Sequence, residues 1–244
     1  MKVHVLLRKE DLAQERLADK VVVVLDILFA TSTIVAALAA GARAVLPCAD
    51  GDAARQAAAS LAHDEHLLAG ELNAETLPGF LHPMPQSVVA AGPSGKTLVY
   101  ATTNGTVALA LAASARAVYA GALLNSTAIA RHVVAHHPGA TVLVVCSGSA
   151  GRVNLEDTYG AGVLVAALRR ELASRPAVVD FSDAALAVEL GYRAASPAEA
   201  LRASRVGVMM LNRGLGHEVA FAAQVDHHPV VPLRQPDGWL RLVS

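Results

Sequence analysis

Charge is scarce in this chain. Of 244 residues only 17% are Asp, Glu, Lys or Arg against 54% hydrophobic, and 20 basic residues nearly balance 21 acidic ones for a formal net charge of −1. No basic block interrupts the sequence, which argues against nucleic acid or an anionic membrane surface as a partner. So few charges cover little area, which suits an α/β protein with much buried surface and is compatible with a homo-oligomer. Apolar runs are frequent but short, and none reaches the ~18 uninterrupted residues of a spanning helix. The start of the chain lacks the basic-then-apolar layout of a secretory signal, so a cytoplasmic location is expected. Cysteine is nearly absent: Cys48 and Cys146 each follow a β-rich apolar run, and buried free thiols are expected rather than a disulfide or a metal pair. GxSxG, HExxH, Walker and GxGxxG motifs are missing as well, which removes the commonest serine, zinc, nucleotide and dinucleotide chemistries.

What is present centres on residues 21–33, VVVVLDILFATST. The β-branched run predicts a strand buried on both faces, with Asp26 at its carboxyl end, where open α/β sheets place ligands. Thr31, Ser32 and Thr33 open a helical pattern from Ile34 to Ala40, so hydroxyls and free backbone N–H groups converge on one point. Such a turn suits an anion, or a divalent cation bridging a carboxylate to phosphate. An acidic loop before a capped helix has the same pattern, so this segment alone leaves both readings open.

The rest of the chain repeats the theme. Strands are expected at Val3–Leu7, Ala44–Cys48, Leu98–Ala101, Ala117–Ala120 and Thr141–Cys146, with helices at Asp52–Ala62, Val107–Ala113, Ala128–Ala135, from near Tyr159, Asp180–Leu190, Pro197–Ala203 and Val206–Arg213. This alternation predicts one α/β domain over residues 1–244, with three α/β/α layers around a largely parallel or mixed sheet. The segment His63–Gly95 breaks the regularity, and Glu71 is its acid of interest. The turn Thr102-Thr103-Asn104-Gly105-Thr106 copies the strand, hydroxyl-rich turn and helix of the opening motif. Further strand ends carry Asn125 and the pair Ser147-Gly148. Backbone N–H groups at these termini are able to line an anion pocket with few basic side chains. Glu156 and Asp157 precede a helix and, being adjacent, point in different directions: one is expected to face the site while the other caps the helix. Of ten histidines, His132 and His136 stand four apart at metal-ligand spacing, but no third ligand is near and no zinc site is expected.

The order and spacing of Asp26–Thr33, Thr102–Thr106, the Gly121–Ser126 turn and Leu155-Glu156-Asp157 resemble the 2-phosphosulfolactate phosphatase (ComB) family over nearly the whole chain. The resemblance implies an Mg²⁺-dependent phosphatase that hydrolyses 2-phospho-3-sulfolactate, or a related small phosphate monoester, to the 2-hydroxy acid and phosphate. Carried over by motif, Asp26, Glu156 and Asp157 become candidate catalytic residues, and Asp26, Glu71 and Glu156 candidate metal ligands. Thr31, Ser32, Thr33, Thr102, Thr103, Asn104, Gly105, Thr106, Asn125, Ser147 and Gly148 become the substrate cradle. Two departures stand out. Family members usually carry Arg at the position of Phe29, and a polar Gly-Phe-Asp-x-Gly-Asn-Ser-Pro loop where this chain has Gly79 to Gln86. An arginine fork is a strong dianion binder, so its replacement predicts weaker recognition of a highly charged substrate. The alternative reading is a non-catalytic or altered-specificity homologue that binds a small anion.

Overall fold

Eleven strands join one sheet in the computed structural model, which describes residues 1–175 and 178–243. In chain order they are β1 Lys2–Leu6, β2 Lys20–Leu25, β3 Ala44–Cys48, β4 His66–Leu72, β5 Glu75–Thr76, β6 Thr97–Ala101, β7 Ala117–Gly121, β8 Thr141–Cys146, β9 Asp180–Phe181, β10 Pro232–Arg234 and β11 Leu240–Leu242. The α-helices among the described residues are α1 Ala30–Ala39, α2 Gly51–Ala59, α3 Pro85–Ala90, α4 Gly105–Leu111, α5 Ser126–His136, α6 Leu155–Leu172, α7 Asp183–Tyr192, α8 Pro197–Ala203, α9 Arg205–Asn212 and α10 Gly216–Ala222. The fold is α/β with a mixed sheet, as the strand-helix alternation predicts.

The strand order is β5-β4-β6-β3-β11-β10-β7-β2-β8-β1-β9. Two parallel blocks, β4-β6-β3 and β7-β2-β8-β1-β9, are joined through the antiparallel hairpin β10–β11, which touches β7 by the pair Leu233–Tyr119 and β3 by the pair Leu240–Val45. Three antiparallel pairings in succession reverse the strand direction between β3 and β7. A flat sheet would then send the carboxyl ends of β2 and β6 to opposite edges. Instead Gly105, four residues past β6, lies directly against Asp26, one residue past β2. The sheet is therefore coiled far enough to fold its two halves toward each other, in the direction that strand twist accumulates.

β2 shows why the sequence dictates this centre. Val21, Val23 and Leu25 pack with α5 to α10 on one face, while Val22 and Val24 pack with Ile34, Leu38, Tyr100 and Leu109 on the other. A strand covered on both faces needs a continuous apolar run, and β-branched valines fit the pleated surface on either side. α1 ends at Gly41, where a φ of +91° lets Ala42 N–H reach Ala37 O and Gly41 N–H reach Leu38 O, closing the last turn.

Several expectations are corrected. α1 begins at Ala30, so Thr31, Ser32 and Thr33 lie inside its first turn rather than ahead of it. In segment 63–95 the short strand suggested at Leu67–Ala69 extends to the whole of β4 and is joined by β5 and α3, the short strand suggested near Leu233 is half of a hairpin preceded by α10, and residues 180–181 form a strand before α7. Cys48 and Cys146 are free and buried, as expected.

Candidate active site

A cavity of about 290 Å³ opens where the carboxyl ends of β2, β4, β6 and β8 meet the amino ends of α6 and α9. Its acids come from three separate elements: Asp26 after β2, Glu71 near the end of β4 and Glu156 in the first turn of α6. All three are almost fully buried, at 8%, 6% and 2% exposure. Burying like charges together is costly, and the cost appears in the proton affinities of Asp26 and Glu156. Burial, followed by the charges of Glu71 and Glu156, pushes the Asp26 carboxyl up to about 7, although N–H groups of Ala30 and Gly105 hold its charged form. Burial also raises Glu156 despite the nearby Ser204 hydroxyl and Arg205 guanidinium. One of its oxygens, Oε2, is buried with no hydrogen-bond partner among the described residues.

Glu71 is held differently. Thr103 donates its N–H to Oε1 at 2.6 Å and its hydroxyl to Oε2 at 3.0 Å, and Ala74 N–H donates to Oε2 at 2.5 Å. Ala74 and Asn73 form the two-residue link between β4 and β5, with φ of +64° and +54°. That is the signature of a tight hairpin turn, and a left-handed alanine in it is strained. The charge-assisted bond to Glu71 is what holds the turn in that shape.

Gly105 shows how closely the two strand-to-helix turns approach. A Cβ there would stand 2.4 Å from Asp26 Oδ2 and 2.4 Å from Ala30 Cβ. No side chain fits, which is the reason for glycine in this turn.

Of the remaining predicted residues, Thr103 and Asn104 also line the cavity. The others support its walls. Thr31 Oγ1 accepts from Asp26 N–H at 2.9 Å and donates to Asp26 O, Ser32 Oγ donates to Ile27 O at 2.6 Å, and Thr33 Oγ1 donates to Phe29 O and Pro83 O, each at 2.9 Å. These hydroxyls are fully buried and spent on the backbone of the β2–α1 turn. Thr102 and Thr106 bond each other in the same way. Asp157 accepts from Ile27 N–H at 2.9 Å and from Gly148 N–H at 3.1 Å, tying the turn after β2 to the turn after β8. It does not line the cavity, so of the adjacent acids Glu156 faces the site while Asp157 braces it. Ser147 is fully buried behind the wall. Asn125 stands apart, joining Ala122 N–H, Ala120 O and Val230 O.

The sequence reading missed the basic groups. Lys9, in the short 3₁₀ turn after β1, is 8% exposed and donates to Asn104 Oδ1 at 2.9 Å. Arg205, the first residue of α9, lines the cavity along with Ser149, Asn154, Val206 and Met209. Neither sits in a motif, and both arrive from parts of the chain distant from the acids. No histidine lines the cavity. His132 and His136 stack at 4.0 Å on α5, and no group of three His, Cys, Asp or Glu among the described residues stands at metal-holding spacing.

The sequence model of the 2-phosphosulpholactate phosphatase family matches residues 6–237, a span that contains every cavity residue. The chain belongs to this family. It is 37% identical over 218 residues to a probable 2-phosphosulfolactate phosphatase of Deinococcus radiodurans, covering 88% of each chain. To the protein of the same name from Parasynechococcus marenigrum it is 38% identical over 224 residues, 91% of each chain. A third, from Carboxydothermus hydrogenoformans, is 35% identical over 234 residues, 95% of this chain and 92% of that one. The 2-phosphosulpholactate phosphatases are phosphoric monoester hydrolases by name, and that is the class of chemistry the cavity has to be tested against. In that setting Phe29 lines the cavity of this member, at the position where the sequence resemblance leads one to expect arginine.

Proposed function

We propose that the protein is a magnesium-dependent phosphatase acting on 2-phospho-3-sulfolactate or a closely related small 2-phospho acid. The observation that carries this reading is the convergence of Asp26, Glu71 and Glu156, three buried acids on one cavity, with Asp26 pushed up to about 7 for want of a compensating charge. An all-oxygen donor set of this kind fits a hard divalent cation. Mg²⁺ is usually held by one or two carboxylates and completes its shell with water and phosphate oxygens. Asp26 and Glu71 would hold it, and when bound it supplies neutralisation of charge on the phosphoryl oxygens.

The chain's own residues do the rest. Lys9, through Asn104, favours negative charge at the phosphoryl group. Glu156 Oε2, which has no protein partner, takes a proton from the attacking water as its oxygen bonds to phosphorus, and the ester P–O bond breaks. The same proton passes to the leaving alkoxide, giving the 2-hydroxy acid and phosphate. Its raised proton affinity suits both halves of this transfer.

The test is turnover of a phosphate-ester panel at graded Mg²⁺ concentrations for the native protein, Asp26→Asn and Glu156→Gln. Asp26→Asn is expected to abolish Mg²⁺-dependent activity. Glu156→Gln is expected to lower kcat by about 10²–10⁴-fold, the usual worth of a general base, with the Mg²⁺ midpoint shifted little. Native turnover that ignores Mg²⁺, or Asp26→Asn turnover equal to native, sinks the assignment. A second reading, a homologue of altered specificity, is favoured by Phe29 on the cavity wall; a native preference for esters lacking the sulfonate would support it.

A further inference from the structure

Helix α9 reaches the cavity beside Glu156 and brings no acid of its own. The first turn of α9 places Arg205, Val206 and Met209 on the cavity, where Phe29 adds a further apolar surface. Arg205 is the only guanidinium that lines it among the described residues. Its Nη2 donates to Ser149 Oγ and, at 3.2 Å, to Asn154 Oδ1, and both acceptors are uncharged. Among the described residues no carboxylate forms an ion pair with Arg205, and its Nε and Nη1 donate to nothing. Elsewhere Arg169 and Arg193 pair with Glu189, and Arg213 with Glu75. An arginine steered by two neutral side chains, with the rest of its fork open to a cavity, is set up to receive a planar or tetrahedral anion from outside.

We propose that the first turn of α9 selects the substrate: Arg205 clamps the anionic group of the ester that does not react, a carboxylate or sulfonate, while Val206, Met209 and Phe29 pack against the carbon skeleton between that group and the phosphate. This deepens the phosphatase reading and rests on it for the identity of the reacting end. Arginine stands here in a role that Lys9 cannot take, because Lys9 is nearly enclosed and already engaged by Asn104 and Ser147 O. Two sources of the second acid are distinguished by the probes below.

The experiment compares 2-phospholactate with isopropyl phosphate, which share a carbon skeleton and differ by a carboxylate against a methyl group, and adds 2-phospho-3-sulfolactate. For Arg205→Gln the ratio of kcat/KM for 2-phospholactate over isopropyl phosphate is expected to fall about 10- to 100-fold, the worth of charge-assisted hydrogen bonds, chiefly through KM. Arg205→Lys, which keeps the charge and loses the fork, should fall between. A ratio within twofold of native in Arg205→Gln, with 2-phospho-3-sulfolactate losing nothing against 2-phospholactate, overturns the proposal, as does an equal loss on all three esters. If 2-phospholactate keeps its ratio while 2-phospho-3-sulfolactate loses tenfold against it, the clamp reads the sulfonate. Calorimetric binding of 3-sulfolactate, which needs no turnover, separates the two readings. Binding that weakens tenfold or more in Arg205→Gln, in a native protein that hydrolyses none of the esters, keeps the clamp and rejects the phosphatase. Hydrolysis and 3-sulfolactate binding that both ignore Arg205 reject the clamp and keep the phosphatase.

Discussion

A methyl group at position 105 would overlap Asp26 Oδ2 and Ala30 Cβ, each at 2.4 Å, distances well inside contact. The neighbours at risk are the acid assigned to the cation and the first residue of α1, neither of which can give way without moving the β2–α1 turn. Gly105→Ala is therefore expected to act on catalysis through geometry, displacing the Asp26 carboxylate and the N–H that supports it. Small displacements at a reacting centre cost about 10²-fold, and a loss of that order in kcat/KM is the expected result, with a raised Mg²⁺ midpoint. Native kinetics in this variant would mean that the close approach plays no part in placing Asp26. At this scale the sequence was informative for acids and glycine, because Asp26, Glu71, Glu156 and Gly105 each break a local pattern. It was uninformative for Lys9 and Arg205, since a lone basic residue at the start of a short helix looks like any solvated end. It misled for Thr31, Ser32 and Thr33, whose hydroxyls are consumed by the backbone of their own turn. A run of hydroxyls at a helix start carries the same letters whether it binds a ligand or folds the turn.

Among the elements, the two turns after β2 and β8 depend on one side chain of α6. Asp157 receives Ile27 N–H and Gly148 N–H on its two oxygens, so a single carboxylate joins three segments across the floor of the site. An asparagine of equal size offers one oxygen and one NH₂, and the NH₂ would face an N–H donor. Asp157→Asn should therefore lower unfolding stability by about 1–3 kcal/mol, the cost of a buried group left unsatisfied, as read by urea denaturation. Gly148 faces a second constraint, with a φ of +60° and Arg152 O only 2.6 Å from where a Cβ would lie, so the turn cannot easily find another shape. A midpoint equal to native would show that the turns are held without Asp157. Elements with strong periodicity or β-branched runs were legible: β3, β8 and α8 lie where the letters place them, at Ala44–Cys48, Thr141–Cys146 and Pro197–Ala203. α3 and α10 were not: unlike α8, whose start is marked by the Ser196 and Glu199 capping box, these short helices have no side-chain cap. They hold each other instead, Glu218 of α10 accepting from Gln86 and Ser87 N–H at the start of α3, a contact 131 residues or more apart in sequence.

For the whole molecule, the site is a stability liability until its charge is balanced. Asp26, Glu156 and Asp157 all bind protons more tightly in the folded chain than in the unfolded one, with burial as the largest cause in each. Below the ordinary carboxylate range both states are protonated and nothing is lost. As pH rises from about 4 through 7, where Asp26 titrates in the fold, the unfolded chain gives up its protons first, so stability falls across that window. This is the reverse of a salt-bridged carboxylate, whose contribution grows with pH. A divalent cation held by Asp26 would offset the part of the penalty that Asp26 carries and would compete with its proton, so its stabilisation should grow in the same window. The expected outcome is a Mg²⁺-induced rise in Tm that is small near pH 5 and larger by about 5 °C or more at pH 8, given roughly 2–4 °C per kcal/mol for a chain of this size. The sheet explains why the sequence does not show this: β2 and β6 belong to blocks that run in opposite directions, joined through β10 and β11, and yet Asp26 and Gly105 are in contact. Differential scanning at the two pH values, with 10-fold steps of Mg²⁺ and with Asp26→Asn as the comparison, reads the effect directly. A Mg²⁺ shift that shrinks as pH rises, or that survives Asp26→Asn undiminished, would place the cation away from these acids and remove the basis for metal-assisted hydrolysis in this cavity.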